Sequence, residues 1–175
     1  MKVKLIIFAI AICIISIVLF GPGLLWQKYD HQGLGFSILL PRVWAKIEGF
    51  SGTVILAKSP REGGDDMFQE NINVVVVSAP QEMQPDTFFE MFKNETLKTV
   101  PGNEYDIEEG AMKAGPDLGR YLIFSSDGEH MSIRTLVGVW VKNGMAYIIT
   151  CTSQDIAYSE YRSVFKHAMR SLRIK

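Results

Sequence analysis

The sequence predicts an α+β domain in which a mostly antiparallel β-sheet is covered by α-helices, preceded by one N-terminal transmembrane helix. Three observations carry this prediction. The run from Leu5 to Trp26 contains no charged residue, and it is as long as the roughly 20 residues needed to cross a bilayer. Strand-like segments and helical segments then follow in an order typical of such a domain. Asn143-Gly144 separates two apolar runs and predicts a β-hairpin.

The N-terminal apolar run predicts a single-pass membrane protein. Lys2 and Lys4 precede the run, so the positive-inside tendency keeps the N-terminus in the cytoplasm and places the rest of the chain on the periplasmic or extracellular side. Trp26 suits the membrane–water interface at the end of the run. We therefore expect a membrane anchor over residues 1–26, a polar linker over 27–35 and a folded domain over 36–175.

Two other fates for this segment are open to the sequence. A cleaved signal peptide begins with the same charged residues, but it has a shorter apolar stretch and ends at a small-residue cleavage site, and none follows here. Lipidation would use Cys13, which follows the bulky residue Ile12 in the middle of the run. An uncleaved anchor is the favoured interpretation.

The first half of the domain reads as strands followed by one helix. The predicted strands cover residues 36–44, 53–57 and 72–78, with a polar loop over 58–70. The β-branched run at 72–78 is continuous, which favours a central position in the sheet. Thr87 and Glu90 fit a capping box at the start of a helix that should end before Pro101. Trp44 and the aromatic residues Phe88, Phe89 and Phe92 are expected to pack in the core, although the latter three could also line a peptide groove.

The second half predicts a strand meander and a closing helix. Strand patterns cover residues 105–112, 118–125, 132–141 and 145–152. From Tyr158 to Leu172, apolar residues recur at steps of three and four with basic residues between them, which indicates an amphipathic helix packed on the sheet.

Two stretches of the sequence resemble PsbP-like domains. Gly35-Phe36-Ser37-Ile38-Leu39-Leu40-Pro41-Arg42-Val43-Trp44 resembles the opening F-x-I-x-x-P-x-x-W stretch, and Ala146 to Thr152 with Tyr158, Tyr161, Phe165 and Leu172 resembles the closing strand and helix. The likeness extends from Gly35 to Ile174. It implies the PsbP-like and Mog-type fold, an antiparallel sheet sandwiched between helices, and a binding or accessory role without a shared catalytic constellation. No functional residue carries over from it.

The charge of the domain argues against a nucleic-acid-binding protein, and its cysteine content excludes a disulfide within the domain. Of the 18 basic residues only Lys2 and Lys4 precede Gln27, so the remaining chain has 16 basic and 19 acidic residues and a formal net charge of −3. Nucleic acid is therefore not an expected partner, because phosphate binding needs a basic surface. Cys13 lies in the apolar run, so Cys151 has no partner for a disulfide within the domain and is expected to be a small buried residue.

Two acidic clusters are the only candidate metal sites. Glu62, Asp65, Asp66 and Glu70 surround a Gly63-Gly64 loop, and Asp127, Glu129 and His130 form a second cluster in a turn. Hard cations take clustered oxygen ligands on loops, but neither cluster has the spacing of a known calcium loop. The candidate ligands are Asp65, Asp66, Asp127, Glu129 and His130, and no cofactor is predicted.

No catalytic residue is predicted either. Nucleophilic catalysis needs a nucleophile beside a base, usually histidine, and neither His31, His130 nor His167 lies in a recognisable motif. The leading hypothesis is therefore a non-catalytic, membrane-anchored interaction module with a protein partner. The second is a domain that binds a small ligand or a divalent cation where the two acidic loops converge. The third, an enzyme, would need a histidine or Cys151 in a pocket beside a carboxylate.

Overall fold

The computed structural model describes residues 25–64, 66, 68–80, 83–99, 104–128 and 130–175. The predicted transmembrane segment, including Cys13, lies outside these residues up to position 24. Within the described part of the chain, no helix is both long and apolar enough to cross a membrane.

The domain contains two β-sheets, and every strand pair in them is antiparallel. The seven-stranded sheet has the order β3-β4-β5-β9-β8-β7-β6, and the three-stranded sheet has the order β1-β2-β10. This confirms an α+β fold with a mostly antiparallel sheet and two α-helices. The strands are β1 Trp26–His31, β2 Phe36–Pro41, β3 Ala45–Glu48, β4 Ile55–Lys58, β5 Asn71–Ser78, β6 Glu104–Ala114, β7 Asp117–Asp127, β8 Ser132–Lys142, β9 Met145–Gln154 and β10 Arg173–Ile174. The helices are α1 Pro85–Thr99 and α2 Tyr158–Arg170.

Different layers cover the two faces of the seven-stranded sheet. One face packs against α2 and the three-stranded sheet, in a core that includes Phe36, Trp140 and Phe165. The other face packs against α1 through Phe88 and Phe89. Both phenylalanines are buried. The prediction that they pack in the core, rather than line a peptide groove, is therefore confirmed. Burial of apolar surface on both faces of one sheet is what holds the sandwich together.

The segment predicted as a linker is part of the folded domain. Residues 26–31 form β1, which pairs with β2 along its whole length, and residues 32–34 form a 3₁₀ turn. Trp26, predicted to lie at the membrane interface, pairs with Pro41 and packs against His167 with ring centroids 4.2 Å apart. The sequence did not predict this strand because it lies at a sheet edge and half of its residues are exposed and polar, so it lacks a continuous apolar signal.

One local prediction, the start of α1, needs correction, and one short strand, β3, was not predicted. The helix begins at Pro85, so Thr87 lies inside it and is not its cap. Proline is favoured at the first helical position because its missing N–H is not needed there. The short strand β3 was not predicted, since its residues are mostly exposed and carry two charges among four positions.

The hairpin predicted at Asn143-Gly144 is confirmed. Both residues adopt positive φ, 54° and 72°, as a two-residue turn of type I′ requires. The turn joins β8 to β9. Strand β9 pairs with β8 over a longer uninterrupted stretch than with its other neighbour, β5. β5 lies beside β9 as the third strand from the edge, which confirms its predicted central position.

Tyr158, at the start of α2, buries a hydroxyl that has no hydrogen-bond partner among the described residues. Desolvation by burial raises the pKa of Tyr158 to about 12, against the opposing positive charges of Arg162 and Arg134. We expect Tyr158→Phe to increase the free energy of unfolding by about 1 kcal/mol at neutral pH, because the substitution removes an unpaired buried polar group.

The pH dependence gives a second measurement of the same variant. A folded-state pKa above the unfolded value of 10.0 contributes stability that is complete below pH 10 and is lost as pH rises through the folded pKa. Urea unfolding between pH 8 and pH 12 should therefore show a smaller alkaline loss of stability for Tyr158→Phe than for the unmodified protein. A large loss of stability in the variant at neutral pH would contradict the interpretation.

Candidate functional site

The loop between β4 and β5 is closed at its base by one residue pair. The backbone N–H of Ser59 donates to the carbonyl oxygen of Glu70 over 2.8 Å, and the Ser59 hydroxyl donates to the Glu70 carboxylate over 3.0 Å. The Glu70 residue is only 5% exposed. Buried polar side chains are normally hydrogen-bonded, and here that bond joins the two ends of the loop.

Asp66 stabilises the tip of this loop. Its two carboxylate oxygens accept hydrogen bonds from the backbone N–H groups of Glu62 and Phe68, at 3.0 and 3.1 Å. Side-chain-to-backbone bonds of this kind give a loop an ordered shape without regular secondary structure. Both oxygens of this predicted metal ligand are therefore already used by the loop.

Glu62 connects the loop to α2. The Tyr161 hydroxyl donates to the Glu62 carboxylate over 2.6 Å. Burial first, and then the negative charges of Glu62 and Glu70, raise the pKa of Tyr161 well above its usual range. The protonated hydroxyl is the donor of this bond, which connects the loop to α2.

The turn between β7 and β8 lies opposite the loop. The backbone N–H of Gly128 donates to the Met131 carbonyl, and the Ser132 hydroxyl donates to Asp127 over 2.7 Å. The Ser132 carbonyl in turn accepts from the backbone N–H of Asp155, at the junction of β9 and α2. These bonds bring the turn and the junction together at one end of the sheet.

Asp155 is the residue at that junction with the most side-chain contacts. Its carboxylate accepts from the Ser125 hydroxyl over 2.7 Å and lies 3.6 Å from the Arg134 guanidinium. Arg134 also pairs with Asp106 at 3.3 Å and covers the Tyr158 ring at 5.1 Å. Arg134 thus partly offsets the charge of Asp155 from within the sheet.

The three segments surround an open cleft of about 800 Å³, with a smaller hollow of about 260 Å³ beside it. We call the two together the acidic cleft. Its described lining residues include five carboxylates and no lysine or arginine, and one lining residue, Ile156, is 86% exposed. The lining residues are Glu62, Gly63, Gly64, Asp66, Glu70, His130, Met131, Ser132, Gln154, Asp155, Ile156, Ala157 and Glu160.

The structure brings together some of the predicted metal ligands. Asp66 and His130 line the acidic cleft, whereas Asp127 is bonded to Ser132 and is not among the lining residues. Asp65 and Glu129 lie outside the described residues. Among the residues that are described, no three His, Cys, Asp or Glu side chains are arranged to hold a metal ion.

The two histidines whose contacts the structure gives, and the cysteine of the described chain, lie apart from one another. His31 accepts from the backbone N–H of Leu34, and His167 packs on Trp26. Cys151 is fully buried and burial raises the pKa of its thiol well above the usual range, which confirms its interpretation as a small core residue. In the described part of the chain no serine, threonine or cysteine side chain hydrogen-bonds to a histidine, the pairing that most often activates a nucleophile.

The sequence did not predict the part of the acidic cleft that the β9–α2 junction and the start of α2 form. The junction residues from Gln154 to Ala157 and the helix residue Glu160 line it, yet they follow the polar loop by about ninety positions. The available signal was the change from a period of two to a helical period after Gln154, because sheet ends and helix starts often border clefts.

An antiparallel sheet between two helical layers, with an open polar cleft at one sheet end, defines an α+β sandwich domain. The family model for PsbP matches residues 25–174, so the chain belongs to the PsbP family. The match begins ten residues before the resemblance at Gly35 because β1 is part of the domain. No curated protein matches the chain.

Several solved structures share the fold. Cyanobacterial PsbP (CyanoP) from Synechocystis sp. PCC 6803 is 15% identical with a TM-score of 0.65, over 86% of this chain and 92% of that one. LpqN of Mycobacterium tuberculosis, described as involved in cell envelope biogenesis, is 14% identical with a TM-score of 0.61, over 86% and 91%. A point mutant of the protein Mog1 is 9% identical with a TM-score of 0.51, over 83% and 87%.

Proposed function

We propose that this protein is a non-catalytic, membrane-anchored interaction module whose acidic cleft binds a cationic segment of a partner protein on the extracytoplasmic side. One observation carries the proposal. Carboxylates from the β4–β5 loop, the β9–α2 junction and α2 converge on one open cleft whose described lining contains no lysine or arginine. A cleft lined by one sign of charge concentrates ligands of the opposite sign.

The shape of the cleft favours a peptide segment over an isolated ion. It is wide, and Ile156 stands 86% exposed beside the partly buried Met131. An apolar side chain of a partner could cover these residues while flanking lysines or arginines meet Glu62 and Glu160. Interfaces commonly combine an apolar anchor with polar contacts around it.

The membrane anchor is the second part of the proposal. The uncharged run from Leu5 to Trp26 supports it, together with Lys2 and Lys4 before the run. An anchored module meets its partner at the membrane, where a modest affinity suffices because the effective concentration is high.

Binding of a basic peptide to the full-length protein in detergent tests the cleft. The probe is a dye-labelled peptide of alternating lysine and leucine, followed by fluorescence anisotropy at increasing salt. We expect Glu62→Gln with Glu160→Gln to raise Kd about thirtyfold, because each lost charge removes about 1 kcal/mol of attraction. The amide of the first variant can still accept the Tyr161 bond, so the loop should keep its shape.

The matched control carries the same charge change on the opposite face of the sheet. Glu90→Gln with Glu95→Gln on α1 should change Kd by less than about twofold, since distant surface charges are screened. An equal loss in both double variants would show a non-specific effect of net charge. Failure of the peptide to bind the unmodified protein would contradict the proposal.

A divalent cation is the second candidate ligand, favoured by the position of Asp66 and His130 on the same cleft. Binding of an ion to the folded state alone would raise the unfolding midpoint by mass action. Thermal unfolding of the chelated protein with calcium, manganese or zinc separates the candidates: a rise that His130→Ala removes favours the cation.

A further inference from the structure

The surface at the start of β1 carries two exposed apolar residues, with exposed basic residues on the neighbouring segments. Leu25 and Val43 are 70% and 76% exposed, and the backbone N–H of Arg42 donates to the Leu25 carbonyl over 2.9 Å, so the two apolar residues lie close together. We name as the exit surface this pair together with the exposed basic residues of the neighbouring segments, which are Arg42, Lys28 on β1, Arg170 at the end of α2 and Arg173 on β10.

The corner that presents Val43 is held in place by Lys46. Its ammonium donates to the carbonyl oxygens of Pro41, Arg42 and Trp44, at 2.9, 3.1 and 2.9 Å. Three hydrogen bonds from one cation order the backbone of a short turn. Val43 is therefore exposed on an ordered corner.

The basic residues of the exit surface other than Arg42 lie on β1, at the end of α2 and on β10. His167 packs on Trp26, and Lys28 with Arg173 lines a hollow of about 210 Å³ next to Ser171. The chain from Tyr161 to its last residue contains five lysines and arginines and no acidic residue. Asp30, the acidic residue of β1, is paired with both Lys28 and Lys175.

The distance from the anchor to this surface is short. A span of about 20 residues beginning at Leu5 ends near position 24, and β1 begins at Trp26. Only Leu25 intervenes, which reaches at most about 3.5 Å when extended. Because so few residues separate the expected span from β1, the exit surface lies close to the membrane interface if the anchor spans.

We propose that the exit surface docks on the lipid bilayer, with Leu25 and Val43 in the headgroup region and the surrounding basic residues on anionic phospholipid headgroups. This inference rests on the proposed anchor and not on the proposed ligand of the acidic cleft. It holds the domain in one orientation on the membrane. Basic residues at an anionic surface and apolar residues at the interface are both attracted by the bilayer.

Fluorescence quenching in vesicles tests the docking. Full-length protein carrying Cys13→Ser and Val43→Cys is labelled with an environment-sensitive dye and reconstituted into vesicles that contain lipids with a headgroup-level quencher; buried Cys151 does not react. We expect strong quenching at position 43 in vesicles containing phosphatidylglycerol. Reversal of Lys28, Arg170 and Arg173 to glutamate should lower the docked population about fivefold or more per residue.

The matched control places the dye on the opposite face. Met91 is 46% exposed on α1, so Met91→Cys should be quenched much less than Val43→Cys. Equal quenching at the two positions, or no quenching at position 43 in protein that resists carbonate extraction, would overturn the docking while leaving the anchor intact. Release of the unmodified protein by carbonate would overturn both the anchor and the docking. Peptide binding to the acidic cleft does not depend on that result and is measured separately.

Discussion

Gly119→Ala is expected to lower the free energy of unfolding by about 3 kcal/mol, although it adds a single methyl group. The indole of Trp140, 1% exposed, lies against Gly119 on the neighbouring strand. A Cβ at position 119 would lie 2.5 Å from Trp140 Nε1 and 2.6 Å from Cδ1. The ring would have to move within a close-packed core, and rearrangement there forces strained side-chain conformations.

Urea unfolding followed by tryptophan fluorescence measures this effect, and the melting temperature should fall by about 6–12 °C. Gly63→Ala is the matched control, because nothing lies within 4 Å of a Cβ at that position. In a Trp140→Leu background the cost of Gly119→Ala should drop by about 2 kcal/mol, since the clashing ring is gone. Equal costs in the two backgrounds would show that the clash is not the cause.

The contact between Gly119 and Trp140 shows which features of the fold the sequence predicts and which it does not. Gly119 and Trp140 are separated along the chain, and their contact depends on the register of β7 and β8, in which Arg120 pairs with Val139. Apolar periodicity predicted both strands, because alternation reports which face is buried. It could not predict the register, so the need for glycine at position 119 was not visible.

The edge strands were the main omission from the fold. β1 and β3 lie at the edges of their sheets, where one side of the strand faces solvent and polar residues are tolerated. The central strands β5, β8 and β9 were predicted with bounds close to the observed ones, since strands buried on both faces carry long apolar runs. The missed β1 matters most, because it removes the linker that was expected between the anchor and the domain.

The candidate site was predicted in part for a similar reason. The polar loop around Gly63-Gly64 and the turn after Asp127 were both recognised from their acidic residues. Their meeting at one cleft depends on the strand order β5-β9-β8, which places the ends of distant segments side by side. The hydrogen bonds that occupy both oxygens of Asp66 are likewise tertiary, so composition alone could not separate a structural carboxylate from a free ligand.

Phe89→Ala is expected to produce the largest loss of stability, about 4 kcal/mol, because the substitution leaves a cavity where a fully buried aromatic ring was removed. Phe89 lies on α1, the one helix that covers its face of the seven-stranded sheet in the described part of the chain. Its ring also contacts two cations, the Arg120 guanidinium at 4.9 Å and the Lys93 ammonium at 5.8 Å. Cation–π contacts add to the loss that the cavity causes.

Met91→Ala is the matched control on the same helix, since that side chain is 46% exposed and its loss should cost less than about 1 kcal/mol. Phe89→Leu separates the two contributions, because leucine refills much of the cavity but offers the cations no aromatic face. We expect its cost to lie between those of the other two variants, measured by urea unfolding of the full-length protein. If Phe89→Ala unfolds like Met91→Ala, then α1 does not form the second core of the sheet, and the sandwich would depend on α2 alone.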